Sequence, residues 1–231
     1  MQESTSTPLR LGILFSGGGR TLENIAERIA DGTLEARIAV SISSHASAGG
    51  LGRAERLGIP CRVIDYREWG AGFADEITRT LDEAGVDLVL LAGFIRHYPV
   101  PARYAGRILN IHPALLPAFG GRGFYGDRVH RAVLECGARF SGCTVHFVTD
   151  EYDRGPIILQ RVVPVEADDS PESLAARVFA EECLAYPDAI RLYSSGALRV
   201  EGRWVTIANR RGAEDAGEER EETNRRGAEK R

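Results

Sequence analysis

The stretch that decides the fold is LRLGILFSGGGRTLENIA, residues 9–26. Its first part, Leu9–Phe15, is a short apolar run that predicts a buried β-strand. Ser16–Thr21 is a glycine-rich turn, and the residues after it place Leu22 and Ile25 on one face of a predicted helix. A strand, a glycine turn and an amphipathic helix in this order predict the first unit of a parallel α/β sheet.

The rest of the chain repeats this alternation of strands and helices. Its strands are nearly continuous apolar runs, which is typical of parallel sheets buried on both faces. We therefore expect a single α/β domain over residues 1–207, a doubly wound, mostly parallel sheet with helices on both faces. The further predicted strands are Arg37–Ser43, Cys61–Ile64, Asp87–Ala92, Ile108–Ile111, Cys143–Val148 and Ile157–Val165, the further helices are Ala48–Leu57, Phe73–Ala84, Val129–Glu135 and Ser170–Tyr193, and a small hairpin covers Leu198–Val205.

The composition is that of an ordinary globular protein. The 231 residues are 43% hydrophobic and 27% charged, with a formal net charge of −4. This charge disfavours a protein that coats nucleic acid. Apolar runs are too short to span a bilayer, and Met1–Pro8 shows no signal-peptide pattern, so we expect a cytoplasmic protein without a membrane partner. The four cysteines lack C-x-x-C spacing and are expected to be reduced.

The last segment, residues 208–231, has a different composition. It contains the hexad NRRGAE twice, balances its basic and acidic residues, and has no aliphatic residue larger than alanine. A segment of this kind cannot bury enough apolar surface to order itself. We predict a charged, disordered tail, and its neutral balance argues against a nucleic-acid-binding arm.

A second informative stretch is NIHPALLP, residues 110–117. It follows the apolar pair Ile108-Leu109, so Asn110 and His112 are predicted to point the same way from the end of a strand. An amide beside an imidazole suits a carbonyl carbon under attack, because Asn110 can donate to the oxyanion and His112 can carry the proton. A polar pair at a strand end also arises by chance, and spacing alone leaves both readings open.

The glycine turn is a candidate anion site. Free backbone N–H groups and the helix dipole both favour a phosphate at such a turn, and Arg20 adds a positive charge. Leu22 stands where G-x-G-x-x-G has its third glycine, and the lysine of a P-loop is absent. The pattern therefore favours a single phosphate group over a dinucleotide or a nucleoside triphosphate. A tight turn without a ligand is the alternative.

Asp153 is the candidate partner of His112. It lies in the acidic loop Thr149–Pro156, and a carboxylate near the imidazole would raise the pKa of His112 and hold its tautomer. His146 and Thr149 lie near the same loop and are candidates for ordering a water. A metal site built from His112, His146 and Asp153 lacks the usual ligand spacing and is disfavoured. The remaining histidines, expected in loops or at the surface, are His45, His97 and His130, and His97 is singled out among them because it follows the carboxyl end of another predicted strand.

Six motifs together resemble a known family. In this order, SGGGRTL, LAGFIR, ILNIHPALLP, GCTVHFV, YDRGPIILQ and EECLAYP resemble the phosphoribosylglycinamide formyltransferases, over about residues 9–205. The N-x-H-P-x-L-L-P segment alone is shared by formyl transferases that use 10-formyltetrahydrofolate. The resemblance implies formyl transfer from this cosubstrate to the amine of glycinamide ribonucleotide, in de novo purine (IMP) biosynthesis. It implies a monomer or weak homodimer, with no metal and no permanently bound cofactor.

The resemblance also implies roles for single residues. Asn110, His112 and Asp153 match the catalytic asparagine, histidine and aspartate, with His112 as proton donor toward the formyl group. Glu182 matches a glutamate that contacts the ribose. The other matched positions are Gly19, Arg20 and Thr21 for the substrate phosphate, Ile95, Arg96, His97, Tyr98, Asn110, Val148 and Asp150 for the folate, and His146 and Thr149 for an ordered water.

The chain departs from the family pattern at a few positions. Arg154 stands where glycine is common, Cys183 stands where histidine often follows the glutamate, and Arg67 is the candidate for the family's folate-side arginine. The loop Gly121–Asp127 is longer than in some relatives. These departures concern affinity more than chemistry, because none of them is in the catalytic trio.

Several alternatives follow from the same scaffold. Formyl transfer to methionyl-tRNA is disfavoured because that family carries a further C-terminal domain, and the folate deformylase because it carries an N-terminal regulatory domain. A sugar-nucleotide formyltransferase remains an alternative, although the sequence shows no second phosphate cradle. A non-catalytic phosphate- or folate-binding protein is the alternative from another class.

Overall fold

The structure is a computed structural model that describes residues 7–208. The tail predicted to be disordered lies, from residue 209 onward, outside the described residues. Within them the strands are β1 (Leu9–Phe15), β2 (Ala36–Ser43), β3 (Cys61–Val63), β4 (Leu88–Leu91), β5 (Ile108–His112), β6 (Phe140–Phe147), β7 (Ile157–Pro164), β8 (Leu198–Glu201) and β9 (Trp204–Ile207), and the α-helices are α1 (Arg20–Ala30), α2 (Gly50–Arg56), α3 (Tyr66–Trp69), α4 (Phe73–Glu83), α5 (Asp127–Glu135) and α6 (Pro171–Ser194).

Seven strands form one sheet in the order β3-β2-β1-β4-β5-β6-β7. The pairs from β3 to β5 are all parallel, and β6 runs antiparallel to both of its neighbours. The prediction of a mostly parallel sheet is confirmed. The chain winds from β1 out to β3 and then returns to β4 on the other side of β1, so the strand order reverses between β1 and β4. Sheets of this kind bind ligands at the carboxyl ends of the strands beside such a switch point.

Hydrophobic cores lie on both faces of the sheet, because successive side chains of a strand point to opposite faces. Leu11 and Ile13 of β1 join one core, which includes side chains of α1 and α6. Leu14 joins the other core, against Ile77 and Leu81 of α4. The predicted arrangement of helices on both faces is confirmed.

The longest helix, α6, begins and is anchored by identifiable contacts. Ser170 and Ser173 form a reciprocal capping box, and Pro171 occupies the first turn, where its missing N–H costs nothing. The buried hydroxyl of Tyr186 lies 3.1 Å from the carbonyl oxygen of Leu91 and 2.9 Å from that of Leu109. These contacts tie α6 to β4 and β5. Neither α6 nor another helix of residues 7–208 is long and apolar enough to cross a membrane.

Candidate active site

A cavity of about 950 Å³ opens at the carboxyl ends of β1, β4 and β5. Its walls contain Ser16–Thr21 after β1, Ala92–His97 after β4 and Asn110–Pro113 at the end of β5. The loop Gly121–Gly126 and the inner face of α6 close two further sides. The cavity therefore occupies the switch point of the sheet, where the fold brings segments together that are far apart in sequence.

The glycine turn has the geometry of an anion cradle. Gly19 caps α1 at φ +75°, and a Cβ there would lie 2.6 Å from the Cα of Gly50, so glycine is required twice over. The first intrahelical hydrogen bond of α1 comes from the N–H of Glu23, which leaves the preceding N–H groups of the helix without an intrahelical acceptor. The predicted phosphate residues Gly19, Arg20 and Thr21 all line the cavity.

Helix α2 braces this turn from behind. The N–H of Gly50 donates to the carbonyl of Gly17 at 3.0 Å. The Arg53 guanidinium donates to the carbonyl of Gly18 and, at 2.7 Å, to the carboxylate of Glu23 on α1. The turn is thus held by main-chain and side-chain contacts that leave its cavity side open.

Helix α6 contributes Phe179 and Glu182 to the cavity wall. The centre of the Arg20 guanidinium lies 4.1 Å from the centroid of the Phe179 ring. Burial raises the pKa of Glu182 to about 7, and the positive charge of Arg20 opposes this rise. Near neutral pH the Glu182 carboxyl therefore exchanges between its neutral and ionised forms.

The antiparallel pairing of β5 with β6 assembles the predicted catalytic trio. It sets Asn110 opposite His146, and the Nδ2 of Asn110 lies 3.1 Å from the Nε2 of His146 and 3.4 Å from the Oδ1 of Asp153. The Oδ2 of Asp153 lies 3.6 Å from the Nδ1 of His112. The side chains of His112 and Asp153 are only 4% and 11% exposed. The structure brings Asn110, His112, Asp153 and His146 into one cluster.

Hydrogen bonds to main-chain carbonyls define the proton positions of both histidines. The Nδ1 of His146 donates to the carbonyl of Phe147 at 2.8 Å, so its Nε2 accepts from Asn110. The Nε2 of His112 donates to the carbonyl of Phe119 at 2.8 Å. A neutral His112 then turns the lone pair of Nδ1 toward the carboxylate of Asp153, and protonation of this atom would replace a repulsion by an attraction.

Asp153 raises the pKa of His112, as predicted, but burial has a larger and opposite effect. Burial lowers the pKa of His112 below its ordinary value, and this outweighs Asp153 and the Phe119 carbonyl, which both raise it. Burial also raises the pKa of Asp153, but His146, His112 and the Gly121 N–H together hold it below its ordinary value. At neutral pH the free site therefore holds an ionised aspartate beside a mostly neutral imidazole.

The loop that carries Asp153 has a constrained shape. Asp153 adopts φ +54°, a region that aspartate and asparagine tolerate better than most residues. Its Oδ2 accepts a hydrogen bond of 2.8 Å from the N–H of Gly121, which joins this loop to the loop over the cavity. A Cβ at Gly155 would lie 1.7 Å from the carbonyl oxygen of Phe147. The position of Asp153 thus depends on the glycine two residues later.

The predicted folate-binding residues divide into two groups. Ile95, Arg96 and His97 line the cavity, and the Arg96 guanidinium lies 5.1 Å from the centroid of the Tyr66 ring. Tyr98 is buried, and its hydroxyl lies 2.8 Å from that of Thr78, so its side chain does not line the cavity.

Three further predicted residues, Val148, Thr149 and Asp150, lie outside the cavity wall. Asp150 is exposed, its carboxylate accepts from the N–H of Val100, and its carbonyl accepts from the Nε2 of His97, both at 3.0 Å. Val148 packs against the core on the α4 face. The exposed hydroxyl of Thr149 donates to the carbonyl of Glu151. These three side chains are not among the residues that line the cavity.

The sequence interpretation misplaced one histidine and missed several wall residues. His130 was expected in a loop or at the surface, but it is buried in α5 and borders the cavity. Val133 follows His130 by three positions on the same helix face, a spacing that indicated an inward side chain. The same spacing relates Phe179 to Glu182, whereas no local pattern marked Tyr66. In residues 7–208 no group of three or more His, Cys, Asp or Glu side chains is placed to hold a metal ion.

Comparison with known chains identifies the class of protein that has this doubly wound sheet and this cluster at its switch point. The chain belongs to the formyl transferase family, whose model, described as "Formyl transferase", matches residues 9–190. The phosphoribosylglycinamide formyltransferase of Escherichia coli (strain K12) is 38% identical over 200 residues, which are 83% of this chain and 90% of that protein.

A solved structure and a longer relative support the same family assignment. Glycinamide ribonucleotide transformylase 1 from Symbiobacterium toebii superposes with a TM-score of 0.84 at 42% identity, covering 90% of this chain and 99% of that one. The trifunctional purine biosynthetic protein adenosine-3 of Gallus gallus is 43% identical over 83% of this chain, which spans 19% of that protein's length. The resemblance to phosphoribosylglycinamide formyltransferases is confirmed.

Proposed function

We propose that the protein transfers the formyl group of 10-formyltetrahydrofolate to the primary amine of glycinamide ribonucleotide, a step of de novo purine biosynthesis. The observation that carries the proposal is the Asn110, His112 and Asp153 cluster, which shares one cavity with the glycine turn and Glu182. The residues proposed for the phosphate, the ribose and the acid–base chemistry thus line one continuous space.

The proposed binding mode follows the walls of the cavity. The substrate phosphate binds at Gly19–Thr21, where N–H groups and Arg20 favour a dianion. Glu182 accepts hydrogen bonds from the ribose hydroxyls when it is ionised. The folate enters along Ile95–His97, on the side of β4. The amine and the formyl carbon then meet near Asn110 and His112, at the end of β5.

The proposed chemistry is an acyl transfer between two nitrogens. The amine attacks the formyl carbon, a C–N bond forms, and the carbonyl oxygen becomes an oxyanion, which the Asn110 amide and the positive charge of protonated His112 stabilise. The bond from this carbon to N10 of the folate then breaks. The amine loses one proton and N10 gains one, by a route that uses His112 and a water held near Asp153 and His146. The formyl group is already bonded to a leaving nitrogen, so the scheme includes no metal and no permanently bound cofactor.

In this scheme, substrate binding offsets the effect of burial and raises the pKa of His112. The dianionic phosphate and the developing oxyanion both favour the charged imidazole, and Asp153 lies 3.6 Å from the Nδ1 that takes the proton. Protonation of His112 is therefore expected to accompany binding and attack rather than precede them.

An isotopic transfer assay tests the proposal. Purified protein is given 10-formyltetrahydrofolate labelled in its formyl group, with glycinamide ribonucleotide, its dephosphorylated form or an amino-sugar nucleotide as acceptor. We expect label in glycinamide ribonucleotide and little in the other two. Preferred labelling of the sugar nucleotide would overturn the substrate assignment, and labelled formate without an acceptor would indicate a deformylase. Two expectations from the sequence, a monomer or weak homodimer and a cytoplasmic location, stay predictions, and sedimentation of the same preparation checks the first.

A further inference from the structure

Arg20 is held in the cavity wall by an aromatic ring. Its guanidinium lies over the face of Phe179 at 4.1 Å from the ring centroid. Within residues 7–208 no hydrogen bond or ion pair is found for the Arg20 side chain. The carboxylate of Glu182 is near enough for Arg20 to affect its pKa, yet the two do not form an ion pair. The face of Phe179 is therefore the contact that orients this guanidinium.

This kind of contact suits a residue that must bind a phosphate. A guanidinium is planar, stacks on aromatic faces and carries five N–H donors in its own plane. Stacking on a ring leaves these donors free, whereas a carboxylate partner would occupy two of them and compete with the phosphate. The ring also restricts a long, flexible side chain before the substrate arrives, which lowers the entropy lost on binding.

The ring is carried by a rigid element. Phe179 and Glu182 are three residues apart on α6 and both line the cavity. One turn further along, the Tyr186 hydroxyl anchors α6 to the carbonyls of Leu91 and Leu109. The N–H groups of the glycine turn and the stacked guanidinium of Arg20 thus face the cavity from elements that are both fixed to the sheet.

We propose that Phe179 is a positioning residue for the substrate phosphate: its ring holds the Arg20 guanidinium beside the glycine turn with the N–H donors free. The phosphate then receives hydrogen bonds from the N-terminus of α1 and from Arg20. The inference rests on the proposed function, because it takes the phosphate of glycinamide ribonucleotide as the ligand.

A double-mutant cycle tests the proposal. Phe179→Leu removes the aromatic face, Phe179→Tyr keeps it, and each is combined with Arg20→Ala. Steady-state kinetics give kcat and KM for each substrate, and calorimetry gives the Kd of ribose 5-phosphate, a probe that needs no turnover. We expect Phe179→Leu to raise the KM for glycinamide ribonucleotide and the Kd of ribose 5-phosphate about three- to tenfold, with kcat and the folate KM nearly unchanged. Phe179→Tyr should restore both constants.

The cycle separates positioning from general damage. In the Arg20→Ala background, Phe179→Leu should have little further effect, because the guanidinium that it holds is absent. Arg28→Ala is the matched control, since Arg28 lies in the last turn of the same helix and pairs with Asp31. Equal effects of Phe179→Leu with and without Arg20, or no rescue by Phe179→Tyr, would overturn the proposal. Failure of the proposed function would instead show as a wild-type protein that binds ribose 5-phosphate but transfers no label.

Discussion

At the scale of single residues, His112 is subject to opposing influences. Burial disfavours its charged form, while Asp153 and the Phe119 carbonyl favour it, and burial is the larger effect. An imidazole with a lowered pKa is a stronger acid once it is protonated, so it gives up its proton readily to a leaving nitrogen. The nearby carboxylate of Asp153 stabilises the protonated imidazole and so limits the fall in its pKa. In the proposed mechanism Asp153 therefore acts by raising the pKa of His112.

Replacing Asp153 by Asn tests this role with little disturbance of the backbone, because asparagine also tolerates a positive φ. Loss of the negative charge should lower the pKa of His112 further, so the alkaline limb of the pH–rate profile should move to lower pH. We expect kcat to fall by about 10²- to 10⁴-fold while substrates still bind. Glu151→Gln, an exposed position in the same loop, is the control. Near-normal turnover of Asp153→Asn at neutral pH would remove Asp153 from the mechanism.

If the Glu182 carboxyl contacts the ribose as proposed, substrate binding should depend on pH. Burial raises the pKa of Glu182 to about 7. In the proposed binding mode, only the ionised form of this carboxyl accepts hydrogen bonds from the ribose hydroxyls. The KM for glycinamide ribonucleotide should therefore fall as the pH rises from about 6 to about 8. Glu182→Gln should have a higher KM that is flat over this range, while the folate KM is the internal control. A wild-type KM that does not change with pH would contradict this role.

At the scale of secondary-structure elements, α6 connects the core to the site. It carries Phe179 and Glu182 on the face toward the cavity, and its Tyr186 is fully buried against β4 and β5. The hydroxyl of Tyr186 lies within hydrogen-bond distance of one carbonyl on each strand, so one side chain fixes the helix relative to β4 and to β5, which carries the proposed catalytic residues Asn110 and His112. Its removal would affect stability first and the site second.

We expect Tyr186→Phe to lower the free energy of unfolding by about 1–3 kcal/mol, because the substitution removes the one buried O–H donor that two carbonyls share, and no water replaces it easily. Urea denaturation measures this change. Tyr66→Phe, at a tyrosine that is 48% exposed, should change stability by less than about 0.5 kcal/mol. Equal stability of Tyr186→Phe and the wild type would show that the hydroxyl does not anchor α6.

At the scale of the whole molecule, the charge of the cavity is opposite to that of the chain. The chain has a formal net charge of −4, yet the cavity is lined by Arg20, Arg96, Arg122 and Arg128. The carboxylates of the same wall are fewer: Asp127, Asp153 and Glu182. A local positive potential in an acidic protein attracts a phosphorylated substrate to one place.

Binding of the phosphorylated amine should therefore weaken with ionic strength. We expect its KM to rise several-fold between roughly 0.05 M and 0.5 M salt, because the Debye length falls as salt is added and the attraction between the arginines and the phosphate is screened. The same titration with Arg20→Ala should show a smaller rise from a higher starting value. Equal slopes for the two proteins would assign the salt effect to charges other than Arg20.

The sequence by itself determined the elements of this protein and the chemical types of its site. Strands such as Leu9–Phe15 were predicted at the bounds that the structure has, because a buried apolar run between a polar start and a glycine turn is a local signal. Asn110 and His112 were predicted on one face, since alternation along a strand is also local. The short helix α3 was missed because its four residues carry no periodic pattern.

The tertiary structure decided everything that depends on distance between remote segments. It set β6 antiparallel to β5 and so placed His146 against Asn110, a pairing that no local pattern encodes. It buried His112 deeply enough to lower its pKa despite Asp153, because desolvation depends on all the atoms packed around a group. It also placed the Phe179 ring against the Arg20 guanidinium. These two residues are far apart in the chain, and only the packing of α6 on α1 brings them together.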